Sequence, residues 1–153
     1  MALNAYIRGT KLADLLNGNG LWDKIYGKGG ADVINAGAGN DKIKGGGGND
    51  LITGGAGDDT IDGGKGSDTA VYSGLFQQYA LSFSDKNNLT GTVTDLIGNR
   101  DGIDTLKNVE FLLFQDAIYD VANDVVYMLN QPPTLSVAAQ ASYPNLRRIA
   151  PCM

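Results

Sequence analysis

The sequence predicts an all-β chain: a solenoid whose short parallel strands wind as a flattened right-handed helix, with a C-terminal β flank covering one face. Three observations predict it. Seven aspartates stand in nine-residue step, at Asp14, Asp23, Asp32, Asp41, Asp50, Asp59 and Asp68. Two residues after each comes an apolar residue: Leu16, Ile25, Ile34, Ile43, Ile52, Ile61 and then Ala70. Ahead of the later aspartates lies a glycine-rich hexapeptide, cleanest at 45–50 (GGGGND), 54–59 (GGAGDD) and 63–68 (GGKGSD). A unit this short cannot bury its own apolar face, so neighbouring units must stack.

If each repeat makes one strand and one tight loop, two repeats complete a coil. Residues eighteen apart then lie in adjacent coils, ~4.8 Å from one another. Asp14, Asp32, Asp50 and Asp68 form one column, Asp23, Asp41 and Asp59 the other, and the apolar residues form the core ladder. Each stacked carboxylate pair costs ~1 kcal/mol in bulk water and ~3 at an effective dielectric of ~20. Summed over the columns, ~5–15 kcal/mol, this rivals the whole stability of a typical domain. A cation between the loops reverses the sign. The 22 glycines add an entropic cost, ~0.5–1 kcal/mol each relative to alanine, so the metal-free roll is expected to be disordered.

The roll spans 7–72, and the pattern changes after Ser73. Tyr79-Ala-Leu-Ser-Phe83 alternates as a half-buried strand does, and Thr90 to Thr94 does so more weakly. Residues 98–102 (GNRDG) read as a turn. Gly102-Ile-Asp104-Thr-Leu106 echoes Gly66-Ser-Asp68-Thr-Ala70 and suggests a lone degenerate roll turn. Val109 to Phe114 is the most apolar run and a buried strand. Residues 1–130 thus form a single domain (flank 73–130), and 131–153, opening on Gln131-Pro132-Pro133, read as a linker or tail.

The donor set selects the metal. The chain has no histidine, and its one cysteine is Cys152. The loops offer carboxylates and backbone carbonyls, which glycine lets turn inward through positive φ. Flexible, all-oxygen sites suit calcium, whereas magnesium demands compact octahedral geometry. The candidate ligands are Asp32, Asp41, Asp50, Asp59 and Asp68 with Gly37, Gly39, Gly46, Gly48, Gly55, Gly57, Gly64 and Gly66, holding several Ca²⁺ ions. The pairs Asp41/Asp59, Asp50/Asp68 and Asp32/Asp50 are expected to make the best sites. Asp14 and Asp23 are expected to make weak or empty ones, because bulky Leu12, Leu21 and Trp22 occupy their loops.

The pattern GGxGxDxUx (U apolar) resembles the calcium-binding repeat of the RTX family. Loops 36–41, 45–50, 54–59 and 63–68 match it well, and 27–32 in part. The run DTLxxVExLxF from Asp104 to Phe114 resembles the flank that follows many RTX repeats. The resemblance implies a right-handed parallel β-roll, calcium-dependent folding and export by a bacterial type I secretion machinery, hence a secreted, extracellular protein. The repeat also resembles the non-catalytic R-modules of bacterial mannuronan C5-epimerases. That implies a partner catalytic module in the same parent chain, and no catalysis by this one. The alternative is a purely structural secretion and folding module of an RTX adhesin, protease or lipase.

The outward faces differ. One carries Leu15, Val33, Leu51 and Thr69, too apolar to leave in water, and the segment after Ser73 is expected to fold over it. The other stacks Lys24 on Lys42 and Tyr26 beside Lys44. This patch has two readings: a solvated face that keeps the roll soluble, or a site where spaced ammonium groups and a tyrosine bind an acidic polysaccharide such as alginate. The net charge of −5 speaks of metal ligation, and no nucleic-acid partner is expected. Glycoside chemistry is disfavoured because the acids recur in every repeat. Nucleotide binding is disfavoured because no glycine loop leads into a helix with Lys-Ser/Thr. No apolar run approaches a membrane span, and a monomer is expected.

Overall fold

The computed structural model describes residues 4–85, 87–98, 100–129 and 146–148. Within them the chain is a β-solenoid of about four turns, with parallel coils stacked on one another. Its strands are β1 (Tyr6–Arg8), β2 (Leu15–Asn17), β3 (Lys24–Tyr26), β4 (Val33–Ala38), β5 (Lys42–Gly47), β6 (Leu51–Ala56), β7 (Thr60–Lys65) and β8 (Thr69–Val71). They alternate between two sheets, β1-β3-β5-β7 and β2-β4-β6-β8. The register is the eighteen-residue step: Ile7↔Ile25, Ile25↔Ile43 and Ile43↔Ile61 in one sheet, Leu16↔Ile34, Ile34↔Ile52 and Ile52↔Ala70 in the other. Ile25 to Ile61 are almost wholly buried, which makes the ladder the core. β4 to β7 run six residues and β1 to β3 only three. Pairing carries on into the loop where glycine permits, as at Gly37↔Gly55 and Gly46↔Gly64.

The flank supplies the turn Phe76–Gln78 and strands β9 (Tyr79–Asp85), β10 (Thr90–Asp95), β11 (Ile103–Lys107), β12 (Phe111–Leu113), β13 (Ala117–Asp120), β14 (Val125–Met128) and β15 (Leu146–Arg148). It does not lie over the apolar face. It lengthens both sheets instead, as β7-β11-β10-β9 and β8-β12-β13-β14-β15. Leu15, Val33 and Leu51 stay 71%, 44% and 39% exposed. The open edges of β7 and β8 present rows of unpaired main-chain groups, and satisfying these takes precedence over covering three side chains. β11 joins β7 in parallel with Leu106↔Ile61, the lone roll turn expected from sequence. Tyr72, Phe76, Tyr79, Phe114 and Tyr119 close this end of the core, with Tyr79 and Phe114 ring centroids 4.9 Å apart. The linker or tail expected over 131–153 lies outside the described residues except for β15, which pairs in parallel with β14. The described residues contain no helix long and apolar enough to cross a membrane.

Candidate metal centres between the coils

Each glycine loop carries the chain from one sheet to the other, and its backbone lies directly against the loop of the next coil. At Gly37, Gly39, Gly46, Gly48, Gly55, Gly57, Gly64 and Gly66, φ lies between 105° and 135°. That conformation favours glycine. There is no room for a side chain either: a Cβ on Gly55 would stand 1.7 Å from the Gly37 carbonyl oxygen. All eight are the glycines singled out from the repeat.

From Asp23 on the repeat aspartates are buried, and they are linked coil to coil. From Asp32 on, each uses Oδ1 to accept the main-chain N–H of the aspartate eighteen residues earlier. The donors Asp23, Asp32, Asp41 and Asp50 meet Asp41, Asp50, Asp59 and Asp68 at 2.7–2.8 Å. The expected pairs are therefore adjacent, through a main-chain amide.

The second oxygen divides the column in two. Oδ2 of Asp32, Asp41, Asp50, Asp59 and Asp68 is buried without a hydrogen-bond partner. In the earlier coils it is satisfied: Thr10 N–H and Oγ1 donate to Asp14 Oδ2 at 2.5 and 2.9 Å, and Asn19 N–H donates to Asp23 Oδ2 at 2.6 Å. Leaving a buried acceptor unsatisfied costs about 1–3 kcal/mol, more if it is charged. Burial accordingly pushes the carboxyls of Asp32, Asp41 and Asp50 above the ordinary range, Asp68 up to about 6 and Asp59 up to about 7.

A carbonyl of the next coil stands beside the orphaned oxygens of Asp32, Asp50 and Asp68. The point where a Cβ of Gly45 would sit is 2.3 Å from Asp50 Oδ2 and 2.6 Å from the Gly63 carbonyl oxygen. At Gly27 the same point is 2.2 Å from Asp32 Oδ2 and 2.4 Å from the Gly45 carbonyl oxygen. Among the described residues, no three His, Cys, Asp or Glu side chains gather as a metal site. A cation here would take most of its ligands from the backbone. Carboxylate plus several carbonyls, in a loop without nitrogen or sulfur donors, fits calcium.

The family model of the RTX calcium-binding nonapeptide repeat (4 copies) matches residues 17–52 and 36–70. The array is of the RTX calcium-binding type. No curated protein matches the chain in sequence. Among solved structures, the extracellular lipase LipA of Serratia marcescens is 20% identical with a TM-score of 0.42, over 73% of this chain. This chain spans only 14% of that lipase. The AlgE6R3 subunit of the Azotobacter vinelandii mannuronan C5-epimerase is 20% identical with a TM-score of 0.37, over 84% of this chain and 87% of that one.

Three features of the RTX array escaped the sequence reading. The first glycine of each loop, Gly27, Gly45, Gly54 or Gly63, lies against the orphaned oxygen. The repeated GG signals it, but either glycine could have been the one at the carboxylate. Asp104 continues the shorter column, accepting Asp59 N–H at 2.9 Å, and burial pushes it up to about 8. Its signal was the Gly102 to Leu106 echo. Glu110 continues the longer column, accepting Asp68 N–H at 2.6 Å, and no periodicity points to it.

The outer face of the first sheet holds the lysine patch in the expected register, Lys24↔Lys42 and Tyr26↔Lys44. Tyr6 packs against Tyr26 with ring centroids 5.7 Å apart and planes tilted by 59°, and Lys24 Nζ lies 5.8 and 5.4 Å from the two centroids. Hydrogen bonding between the two raises the Lys24 pKa and lowers that of Tyr26. Lys44 is half-engaged by Asp62, at 3.7 Å. Beside the patch a trough of about 400 Å³ is lined by Tyr26, Lys42, Lys44, Thr60, Thr105 and Lys107, among others.

Proposed function

We propose that this chain is a calcium-binding RTX module of a secreted bacterial protein, leaving the cell unfolded by type I export and folding on calcium outside. The observation that carries the reading is the five orphaned, buried Oδ2 atoms, each a charge acceptor that a cation would satisfy. Calcium binding then becomes folding free energy. Isothermal calorimetry tests the metal: calcium should bind at more than one site per chain, with magnesium a poor competitor. Heats no different from buffer dilution would end the proposal.

The same reading gives the lysine face a task. Lys24, Tyr26, Lys42 and Lys44 bind an acidic polysaccharide of the alginate type and hold it for a catalytic module of the parent chain, a mannuronan C5-epimerase as the first choice. What supports this is a run of cations beside a packed, tilted tyrosine pair on a protein of net charge −5. The Lys44–Asp62 pair favours the competing reading, a structural secretion and folding module of an adhesin, protease or lipase. Titrating alginate oligomers into the calcium-loaded chain separates the two by NMR. Shifts centred on the patch, weakened by salt and lost in the Lys24/Lys42/Lys44 triple alanine variant, are expected. No shift at millimolar oligomer leaves the structural module.

A further inference from the structure

The longer aspartate column does not stop where the nonapeptides stop. In three successive coils the Cβ point of the first loop glycine touches the Oδ2 of its own aspartate and a carbonyl of the next coil. For Gly9 these are Asp14 and Gly27, at 2.8 and 2.5 Å; the Gly27 and Gly45 contacts repeat the arrangement. The arrangement recurs a fourth time at Gly63. There Asp68 Oδ2 lies at 2.7 Å, and the carbonyl is that of Asn108, at 2.2 Å. Asn108 stands in register with Gly63, since Lys107 pairs with Asp62, so its carbonyl takes the place of the next coil's first loop glycine. Glu110 stands opposite Asp68 because Phe111 pairs with Thr69, and its Oε2 accepts Asp68 N–H as the aspartates of the array do. Asp68 is wholly buried and its Oδ2 has no partner. The other column shows the same arrangement once, at Gly18, where the Ala36 carbonyl oxygen lies at 2.1 Å and Asp23 Oδ2 at 2.6 Å.

We infer that the 107–110 loop closes one more calcium site against the 63–68 loop, with Asp68 Oδ2, the Asn108 carbonyl and the Glu110 carboxylate among its ligands. The site lies outside the matched repeat, which ends at residue 70. It joins the flank to the roll, so that calcium fastens the end of the solenoid as well as its coils. The inference rests on the repeats binding calcium.

Native mass spectrometry of the calcium-saturated chain and its Glu110→Gln variant tests it. Glutamine keeps an acceptor for Asp68 N–H and removes the charge. The variant should carry one ion fewer than the parent; equal counts overturn the inference. In the unaltered chain, the amide signals of Asn108 and Glu110 should shift during a calcium titration. Shifts confined to the repeat loops overturn it while leaving the repeats as calcium loops, and a chain that binds no calcium at all overturns both.

Discussion

Asp32, Asp41, Asp50, Asp59 and Asp68 each give one oxygen to a neighbour's amide and keep the other buried without a partner. Both oxygens are engaged in Asp23, and that division sets what substitution does. Asp50→Asn keeps an oxygen to accept Asp32 N–H but removes the charge beside the Gly63 carbonyl. Asp50 stands between Asp32 and Asp68 in its column, so two sites suffer. The calcium midpoint of folding should rise at least tenfold, about 1.4 kcal/mol. Asp14→Asn should move it less than twofold, since Thr10 already satisfies Asp14 Oδ2. Calcium titrations followed by circular dichroism read both. The raised carboxyls also set a pH dependence for the metal-free chain. Their pKa values in the fold exceed the unfolded value, so protonation stabilises the fold. That contribution is complete below about pH 4 and is lost as pH rises through about 6 for Asp68 and about 7 for Asp59. Without calcium, residual β structure should therefore be greatest near pH 4 and least near pH 8. Calcium affinity should rise across the same window, because metal and proton compete for the same oxygens.

The loop is the element on which this fold depends. Gly55 combines a φ of 105° with a backbone oxygen where its Cβ would stand. Gly55→Ala should cost about 3 kcal/mol or more. Gly20 lies in an early loop with nothing within 4 Å of a Cβ, and Gly20→Ala should stay within about 0.5 kcal/mol. Chemical denaturation in saturating calcium distinguishes them. The register of these elements was legible because a nine-residue period, doubled, is arithmetic: Ile25, Ile43 and Ile61 could stack in no other way once two repeats made a coil. Lys24 on Lys42 followed from the same sum. The Asp104 turn was legible from its echo of Gly66 to Ala70, though not which column it continues. Glu110 was not legible, since an excursion of more than forty residues separates it from Asp68 and no repeat marks it. The flank was misplaced for a different reason. Leu15, Val33 and Leu51 called for a cover by hydrophobicity, but the edges of β7 and β8 called for strands, and hydrogen-bond saturation prevailed.

As a whole molecule the roll is a stack of coils that share one apolar ladder and two columns of buried acids. The ladder favours folding; the acids and the 22 glycines oppose it. Each calcium ion bound only by the fold adds about 2.7 kcal/mol at a hundredfold excess over its dissociation constant, and with several sites this term outweighs the others. Partial occupancy should produce partial rolls, since each coil touches only its neighbours. The far-ultraviolet circular dichroism of the chain at neutral pH, recorded with chelator and again after calcium is returned in excess, tests that balance most directly. The predicted result is a largely disordered spectrum with chelator and a β spectrum restored reversibly by calcium, but not by magnesium at the same concentration. A β spectrum that chelator leaves unchanged would contradict it.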